Sequence, residues 1–307
     1  MKQKIVIAGG SGALGSCIIK RYYDTETEVV VLSRRQNAAD KNIRYVGWDA
    51  RTLGAWTKEL EGSTAVINLV GRSVNCRYTE TNKKEIINSR VDSTLILGQA
   101  IQGLQHSPAV WINAGSAAIF GNSGDEIKDE NSEPGDGFSP RVCKLWEQAF
   151  FKSVTPQTRK VFLRIGMVLQ PAKGVLKPFT NLARTGFGGR IGSGEQYITW
   201  IHEEDFVNLI QWAIAKNVSG IIHSSSPYPV KNKEFMQEIR AALKMPFGLP
   251  NPAFLTRIGA VFIKTEAELV LSGRRVISTV LEKNKFNFKY PKIQQALAQL
   301  ISYGSSN

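Results

Sequence analysis

Three glycines near the amino end constrain the fold of this chain more than any other feature. Gly9, Gly12 and Gly15 stand at three-residue spacing; they follow the apolar run 5–8 and precede a helical pattern at 16–23. A short run rich in β-branched residues is typical of a buried parallel strand, so the order is strand, glycine turn, helix. In that order Gly9 allows the tight turn, Gly12 lets the backbone approach a pyrophosphate, and Gly15 lets the helix pack on the strand.

The first turn of the predicted helix completes a site for an anion. The backbone N–H groups of Ala13 and Leu14 have no partners inside a helix that begins here, so they would face the pyrophosphate of a dinucleotide. A glycine triplet alone is a weak signal, and the alternative is an ordinary strand-to-helix turn. The strand and helix that flank the triplet favour dinucleotide binding.

The end of the next predicted strand indicates which dinucleotide binds. Residues 28–32 form a second β-branched run, which leads into Ser33, Arg34 and Arg35. In a dinucleotide-binding fold this strand ends beside the adenosine ribose, where an acidic residue accepts from the 2′-hydroxyl and an arginine suits a 2′-phosphate. The lack of Asp or Glu in this sequence favours NADP(H) over NAD(H). The alternative is that Arg34 and Arg35 are ordinary solvated loop residues.

Further predicted strands alternate with helices along the first half of the chain. The runs 43–46, 65–71, 109–113 and 161–166 are typical of strands, and the pattern over 79–102 is helical. This alternation predicts an α/β fold with a Rossmann-type, doubly wound parallel sheet.

The carboxyl ends of parallel strands border the ligand crevice in such a sheet. One predicted strand ends in a small turn, and a later one ends at two residues whose backbone would reach the nicotinamide amide. The cofactor-binding residues expected from these two ends are Asn68, Leu69, Val70 and Gly71, together with Gly166 and Met167.

The net charge of +13 raises the question of a nucleic-acid partner. The 39 Lys and Arg residues are spread along the chain, without long basic runs or interleaved aromatic residues. The charge therefore predicts a solvated basic surface, or a field that attracts a phosphate-rich cofactor or an anionic substrate, and no nucleic acid. Three separated cysteines without metal-ligand spacing, and no signal peptide or membrane span, predict a metal-free protein of the reducing cytoplasm.

Several segments together resemble the extended short-chain dehydrogenase/reductases. They are AGGSGALG, INSRVDST, CKLWE and GGRIGSGEQYITWIHEED. The chain is most similar to the atypical, epimerase-like (YfcH-like) subfamily, which carries an extra C-terminal domain. The resemblance implies a Rossmann fold, a nicotinamide cofactor and a small-molecule substrate. It also allows a homodimer, because related enzymes dimerise through helices.

The same resemblance suggests a division of the chain. Residues 1–165 are expected to form the NAD(P)-binding domain, and residues 166–307 a smaller α+β substrate or lid region. Residues of about 200–225 would return to the first domain, and 245–307 would form a family-specific helical segment. The activity implied is that of an oxidoreductase similar to the nucleoside-diphosphate-sugar epimerases, with an unknown substrate.

The catalytic residues of the wider group match this chain only in part. Ser116 falls at the position of the catalytic Ser or Thr, but the Tyr-x-x-x-Lys pair falls on Ser139 and Cys143. An arginine that binds nucleotide phosphates in many relatives is Ile198 here. These departures argue against the ordinary proton relay and against a nucleotide-sugar substrate. A cofactor-binding sensor or regulatory protein that has lost catalysis is the alternative to an oxidoreductase.

Four side chains are candidates for chemistry or substrate binding, each with a plainer alternative. Ser116 orients a carbonyl or alcohol, or it caps a turn. Cys143 is a nucleophile if its pKa is lowered, or a small buried residue. Arg90 binds an anionic substrate in the cleft, or it pairs with Glu147. Trp200 lines the substrate cleft, or it belongs to the core.

Overall fold

The structure is a computed structural model that describes residues 3–34, 37–171, 173–262 and 266–304. Its strands, in chain order, are β1 (Lys4–Ala8), β2 (Glu28–Ser33), β3 (Ile43–Gly47), β4 (Ala65–Asn68), β5 (Val110–Ser116), β6 (Ile127–Lys128), β7 (Arg159–Ile165), β8 (Met167–Gln170), β9 (Lys173–Gly174), β10 (Tyr197–Ile198), β11 (Trp200–His202), β12 (Gly220–Ser224), β13 (Val230–Lys231) and β14 (Arg275–Val276).

The helices alternate with these strands. They are α1 (Ala13–Tyr22), α2 (Glu80–Gln102), α3 (Phe138–Lys152), α4 (Leu176–Arg184), α5 (Glu203–Ala215), α6 (Asn232–Leu243), α7 (Ala253–Phe262), α8 (Glu268–Leu271), α9 (Thr279–Lys283) and α10 (Ile293–Gly304), with 3₁₀ turns at Ala55–Leu60 and Ala117–Phe120. Across the described ranges, no helix is both long and apolar enough to cross a membrane.

Seven strands form the main sheet, and every neighbouring pair is parallel. Their order is β12-β7-β5-β4-β1-β2-β3. Strands β1 and β2 are completely buried over most of their length, which explains their unbroken runs of Ile and Val. The predicted Rossmann-type, doubly wound sheet is confirmed.

The strand order reverses beside β1. The chain runs outward from β1 to β3 on one side, and from β4 through β5 and β7 to β12 on the other. In an open α/β sheet a ligand crevice forms at this reversal, at the carboxyl ends of the strands. The glycine turn after β1 and the turn after β4 both lie there. The fourth strand ends at Asn68, three residues earlier than the sequence pattern suggests.

A second core lies in the carboxyl-terminal half and is called the C-terminal core below. Its completely buried members include Trp200, Phe235, Met236 and Leu297, which come from β11, α6 and α10. Short strand pairs such as β8 with β11, and β10 with β13, connect this core to the end of the main sheet. Helix α4 and these short strands escape a reading of sequence periodicity because each is only two to nine residues long.

Candidate functional site

The turn after β1 has the geometry that its glycines predict. Gly9 has a φ of +77°, and a Cβ at this residue would lie 3.0 Å from the backbone nitrogen of Val70. A Cβ on Gly15 would lie 2.4 Å from the Cα of Gly10, so α1 packs directly against the turn. A side chain at either Gly9 or Gly15 would therefore displace backbone.

Packing inside the protein does not explain the glycine at position 12. A Cβ on Gly12 would meet the carbonyl oxygen of Gly9 at 3.5 Å, an ordinary van der Waals contact. The protein therefore leaves room for a side chain at Gly12. The glycine motif predicts that a bound pyrophosphate takes up this room.

The beginning of α1 offers unused hydrogen-bond donors next to Gly12. No side chain caps this helix end, and the N–H groups of Ala13, Leu14 and Gly15 find no acceptor in the part of the chain that the structure describes. Such donors, reinforced by the helix dipole, form an anion cradle that suits a pyrophosphate.

The end of β2 lies at the same edge of the sheet. Ser33 is buried, whereas Arg34 is exposed and forms no ion pair within the described ranges. Arg35 lies outside the described residues. A cavity of about 450 Å³ opens beside α1, and its lining includes Ser11, Lys20 and Asn37. Polar and cationic groups therefore surround the place where the fold puts an adenosine ribose.

The side chain of Asn68 does not reach into the crevice. Its Nδ2 donates to Asn113 Oδ1 at 2.7 Å and to Thr94 Oγ1 at 3.3 Å, and its Oδ1 accepts from the backbone N–H of Val70 at 3.1 Å. The residue is completely buried. Its predicted role in cofactor binding is therefore wrong for the side chain, because each polar atom already holds the turn after β4.

The turn that Asn68 holds does border the crevice. Leu69 and Val70 are half-buried, and Gly71 is exposed. A Cβ on Gly71 would lie 3.1 Å from the Cζ of Arg90, so glycine lets the guanidinium pass close to the backbone. These three residues remain predicted cofactor contacts.

Arg90 lies against the aromatic face of Trp146. Its Cζ is 5.1 Å from the ring centroid, and its Nη1 donates to the carbonyl oxygens of Arg72 and Ile86, each at 3.0 Å. The indole Nε1 of Trp146 donates to Thr94 Oγ1 at 3.0 Å, which fixes the ring. The guanidinium is thus held in place by cation–π packing and by backbone oxygens.

The alternative in which Arg90 pairs with Glu147 is wrong. Glu147 accepts from Arg164, at 2.9 Å from Nη2 and 3.0 Å from Nε. The two carboxylate oxygens match the guanidinium fork of Arg164, and both side chains are largely buried. Within the described residues Arg90 has no carboxylate partner.

Ser116 lies at the last position of β5, opposite Ile165 of β7. Its Oγ accepts from the backbone N–H of Ala118 at 3.1 Å and so caps the following 3₁₀ turn. The plainer alternative is therefore present in the structure. The hydroxyl proton has no acceptor among the described residues, so it remains free to be donated to a substrate oxygen.

Cys143 lacks the thiolate that a nucleophile requires. It lies on α3 one turn after Ser139 and is 6% exposed. Burial raises the pKa of its thiol to about 12, although the charges of Arg90 and Arg274 oppose the rise. The thiol is protonated at neutral pH and packs in one buried cluster with Ala117 and Val276, as a small apolar residue does.

Arg274, which the sequence patterns did not single out, acts electrostatically on Cys143. Its backbone is fixed beside β10, because its N–H donates to the carbonyl oxygen of Tyr197 at 3.2 Å and its carbonyl accepts from Thr199 Oγ1 at 2.7 Å. Its Nε is buried and has no hydrogen-bond partner among the described residues. The sequence feature that could have indicated Arg274 is the adjacent pair of cationic residues, Arg274 and Arg275.

Trp200 is not a substrate residue. Its side chain is 0% exposed within the C-terminal core, and its Nε1 donates to the carbonyl oxygen of Tyr228 at 3.0 Å. The prediction that it lines the cleft is wrong, because β11 turns this face toward α6 and α10 and away from the crevice.

Gly166 and Met167 follow β7 at the carboxyl edge of the sheet. The N–H of Gly166 donates to Ser224 O at 3.0 Å, and the N–H of Met167 donates to Thr199 O at 2.8 Å. Both donors are used inside the protein, so any contact with a nicotinamide amide would be made by the carbonyl oxygens or by the half-buried Met167 side chain.

Comparison with known proteins places this site in a family. The model of the NAD dependent epimerase/dehydratase family matches residues 5–143, and that of a domain of unknown function, DUF1731, matches residues 252–300. The epimerase family protein Mb2239 of Mycobacterium bovis is 34% identical over 295 residues, which cover 95% of this chain and 96% of the relative. The chain belongs to the epimerase family. It is an atypical, epimerase-like short-chain dehydrogenase/reductase with an additional C-terminal domain, as the sequence predicts.

Other epimerase-family proteins are similar over the full chain. Epimerase family protein YfhF of Bacillus subtilis is 31% identical, over 97% of this chain and 98% of the relative. The crystal structure of human epimerase family protein SDR39U1 (isoform 2), solved with NADPH, has a TM-score of 0.87 at 28% identity and covers 98% of this chain and 99% of that one. The family likeness therefore includes both the parallel sheet and the C-terminal core.

Proposed function

We propose that this epimerase-family protein binds NADP(H) in preference to NAD(H) and acts as an oxidoreductase on a small-molecule substrate. The observation that carries the proposal is the open cradle at Gly12, where the protein has room for a side chain but α1 presents three unused N–H groups. The human relative solved with NADPH supports the same ligand class. A bound nicotinamide supplies a centre that gives or accepts a hydride.

The residues of this chain divide the work of binding. The N–H groups of Ala13 to Gly15 hold the pyrophosphate, and the exposed guanidinium of Arg34 binds the 2′-phosphate that distinguishes NADP(H) from NAD(H). The Ser116 hydroxyl donates a hydrogen bond to an oxygen of the substrate and so orients the carbon that reacts. Because Ser139 and Cys143 cannot form a Tyr–Lys relay, water or a neighbouring group transfers the proton.

A nucleotide-sugar substrate fits this site poorly. The position that holds a phosphate-binding arginine in many relatives is Ile198, which is only 5% exposed and packs in the C-terminal core. An isoleucine offers no hydrogen bond to a diphosphate, and Arg90 favours a smaller substrate that carries negative charge.

The same proposal includes a cellular setting. All three cysteines, Cys17, Cys76 and Cys143, are free, which suits a reducing cytoplasm. Light scattering of the purified protein would decide between a monomer and the homodimer that the family resemblance allows.

Equilibrium titration with NADPH and NADH, followed by fluorescence, tests the cofactor. We expect NADPH to bind more tightly, and Arg34→Ala to weaken NADPH about ten-fold while it leaves NADH unchanged, since it removes one charge-assisted contact. Arg184→Ala, at the exposed end of α4, is the control and should bind both as wild type does. Failure to bind either dinucleotide, or a preference for NADH, would reject the proposal.

A panel of sugars, quinones and other carbonyl compounds tests the reaction. Turnover of NADP(H) that is lost in Ser116→Ala, but kept in the surface variant Ser219→Ala, supports an oxidoreductase. The second candidate is a sensor that binds the cofactor without chemistry, and the protonated Cys143 thiol in place of the usual lysine favours it. Tight NADPH binding with no turnover on any compound of the panel would support the sensor.

A further inference from the structure

Two half-buried arginines near the end of β5, Arg90 and Arg274, form no ion pair among the described residues. The Nε of Arg274 is buried without a hydrogen bond, and no carboxylate lies within 4.0 Å of Arg274 or Arg90 in the part of the chain described. Arg164, a few residues away in the fold, shows the contrast, because its charge is neutralised by Glu147. Neither Arg90 nor Arg274 has such a bidentate partner among the described residues, and Glu268 opposes the charge of Arg274 only from beyond ion-pair distance.

Arg274 immediately precedes β14, which packs near the end of β5. It stands two residues before Val276, the spacing that puts two side chains on the same side of an extended backbone. Val276 is fully buried in a cluster with Ala117 and Cys143. Arg274 is therefore two residues along the chain from a side chain that packs with Ala117, the residue that follows Ser116.

Arg90 reaches the same place from α2. It packs on Trp146, which is three residues from Cys143 and lies on the same face of α3. The charges of both arginines also oppose the rise in the pKa of the Cys143 thiol, in agreement with the packing of Arg90 on Trp146 and of Val276 on Cys143. Cys143 is therefore within electrostatic range of two guanidinium groups, at the position where the wider short-chain dehydrogenase/reductase group carries a lysine.

Folding gives a reason to keep the charge of Arg90, which Trp146 and two carbonyl oxygens hold, but none to keep the charge of Arg274, whose Nε is buried without a hydrogen bond. A buried cation without a counter-ion is costly, and a neutral residue of similar size would relieve the cost. A guanidinium with free N–H groups instead matches an oxyanion, because it offers two parallel hydrogen bonds to a carboxylate or a phosphate.

We propose that Arg274 and Arg90 together bind the carboxylate or phosphate group of an anionic substrate and hold its reacting carbon beside Ser116. The inference rests on the proposed function, since it names the substrate class of that same site. It adds Arg274 as a substrate-binding residue. It also offers a replacement for the phosphate-binding arginine that Ile198 lacks: the negative group of the substrate is received by Arg90 of α2 and by Arg274, whose backbone bonds to Tyr197 and Thr199 on either side of Ile198.

Calorimetric titration with malonate and with inorganic phosphate tests the site. The protein is first saturated with NADPH, so that the cofactor's own phosphate sites are filled. We expect one or both anions to bind, and Arg274→Gln to weaken that binding about ten-fold or more. Arg275→Gln is the matched control, because the Arg275 guanidinium lies over the Tyr197 ring at 5.2 Å; its loss should change binding less than about two-fold. The anion that binds more tightly identifies the oxyanion class.

A second readout separates substrate binding from a structural role. Without added anion, Arg274→Gln should melt at or above the temperature of the wild-type protein, because an unpaired buried charge is removed. Arg274→Lys keeps the charge but loses the fork, and should bind the anion with intermediate affinity.

Three results would overturn the inference. They are no anion binding by the wild type with or without NADPH, equal binding by wild type and Arg274→Gln, or a lower melting temperature in Arg274→Gln with unchanged anion binding. Failure of the proposed function looks different: NADPH would not bind the wild type, while the comparison of Arg274→Gln with Arg275→Gln in cofactor-free protein would still test the anion site.

Discussion

At the scale of single residues, the glycines of the first turn differ in how closely the protein packs against them. Gly15 is required by the protein, because a Cβ there would lie 2.4 Å from the Gly10 Cα. Gly12 is not required by the packing of the protein, because the nearest protein atom to its Cβ position is 3.5 Å away. The same residue type in one motif therefore serves packing at Gly15, and we predict that it serves dinucleotide binding at Gly12.

Alanine substitutions should distinguish the packing role of Gly15 from the predicted binding role of Gly12. Gly15→Ala should lower the free energy of unfolding by roughly 2–4 kcal/mol, since backbone must move to admit the methyl group. Gly12→Ala should change it by less than about 1 kcal/mol but weaken NADPH binding about ten-fold or more, because the methyl group meets the pyrophosphate. Urea denaturation and NADPH titration of both variants measure the difference. Equal destabilisation by the two would contradict the assignment.

At the scale of elements, one half-buried carboxylate, that of Glu130, joins the loop before α3 to two distant segments. Glu130 accepts from the backbone N–H of Thr279 at 3.0 Å, from Thr279 Oγ1 at 2.9 Å, from the Ser278 hydroxyl and from the backbone N–H of His223 at 3.1 Å. It thereby joins the loop to the start of α9 and to β12. This arrangement holds β14, and Arg274 with it, against the end of the main sheet.

Removing that carboxylate should loosen the carboxyl-terminal segment. Glu130→Ala leaves several buried donors without an acceptor and should cost about 3 kcal/mol of unfolding free energy. Glu133→Ala, in the same loop but exposed, should cost less than about 0.5 kcal/mol. Chemical denaturation measures both, and hydrogen exchange should show faster exchange in residues 275–283 of Glu130→Ala. A similar cost in both variants would show that Glu130 is not the fastening point.

The histidine in this junction should make stability depend on pH. Burial lowers the pKa of His223 to about 4, against the opposing charge of Glu130. Between the ordinary histidine value of about 6.5 and pH 4 the unfolded chain binds more protons than the folded one, so unfolding free energy falls as pH falls through this window. The loss should be on the order of 3 kcal/mol in total. Burial also lowers the pKa of His202, which acts in the same direction.

Urea denaturation at pH 7, 6 and 5 would measure this dependence. His223→Gln should flatten it, whereas His106→Gln should not, because His106 is exposed. A dependence that is equally steep in wild type and His223→Gln would show that another group is responsible.

At the scale of the whole molecule, two cores meet at the crevice. The main sheet supplies one, and the C-terminal core is attached to it through α5, where Asp205 accepts from the N–H groups of Lys289 and Tyr290 at 2.7 and 2.9 Å. His202 caps the same helix and contacts Gln299 Oε1 of α10 at 2.9 Å. Because the candidate site takes residues from both parts, a ligand bound there should stabilise the molecule as a unit.

Cofactor binding should therefore raise global stability. At a free NADPH concentration 100 times its Kd, linkage gives about 2.7 kcal/mol of added unfolding free energy. Denaturation curves with and without NADPH measure this, and Arg34→Ala should show a smaller gain at the same concentration because its Kd is larger. No gain at saturating NADPH in the wild-type protein would count against a cofactor site in the folded state.

The sequence by itself determined the local features of this protein. Its apolar runs predicted six of the seven strands of the main sheet within a few residues, and its glycine spacing predicted a turn whose contacts the structure bears out at Gly9 and Gly15. These features can be predicted from sequence because strand burial and glycine backbone freedom depend on a few neighbouring residues.

Only the tertiary structure decided which side chains meet. Asn68 hydrogen-bonds to Thr94 and Asn113, and Trp200 packs in the C-terminal core. Glu147 forms its ion pair with Arg164 and not with Arg90. The partners in these contacts are separated by 17 to 45 residues where side chains bond directly. Arg274 reaches the site because β14 pairs with β6, a contact across more than a hundred residues. Local sequence pattern carries no information about such distant pairings, since they depend on how the whole chain packs.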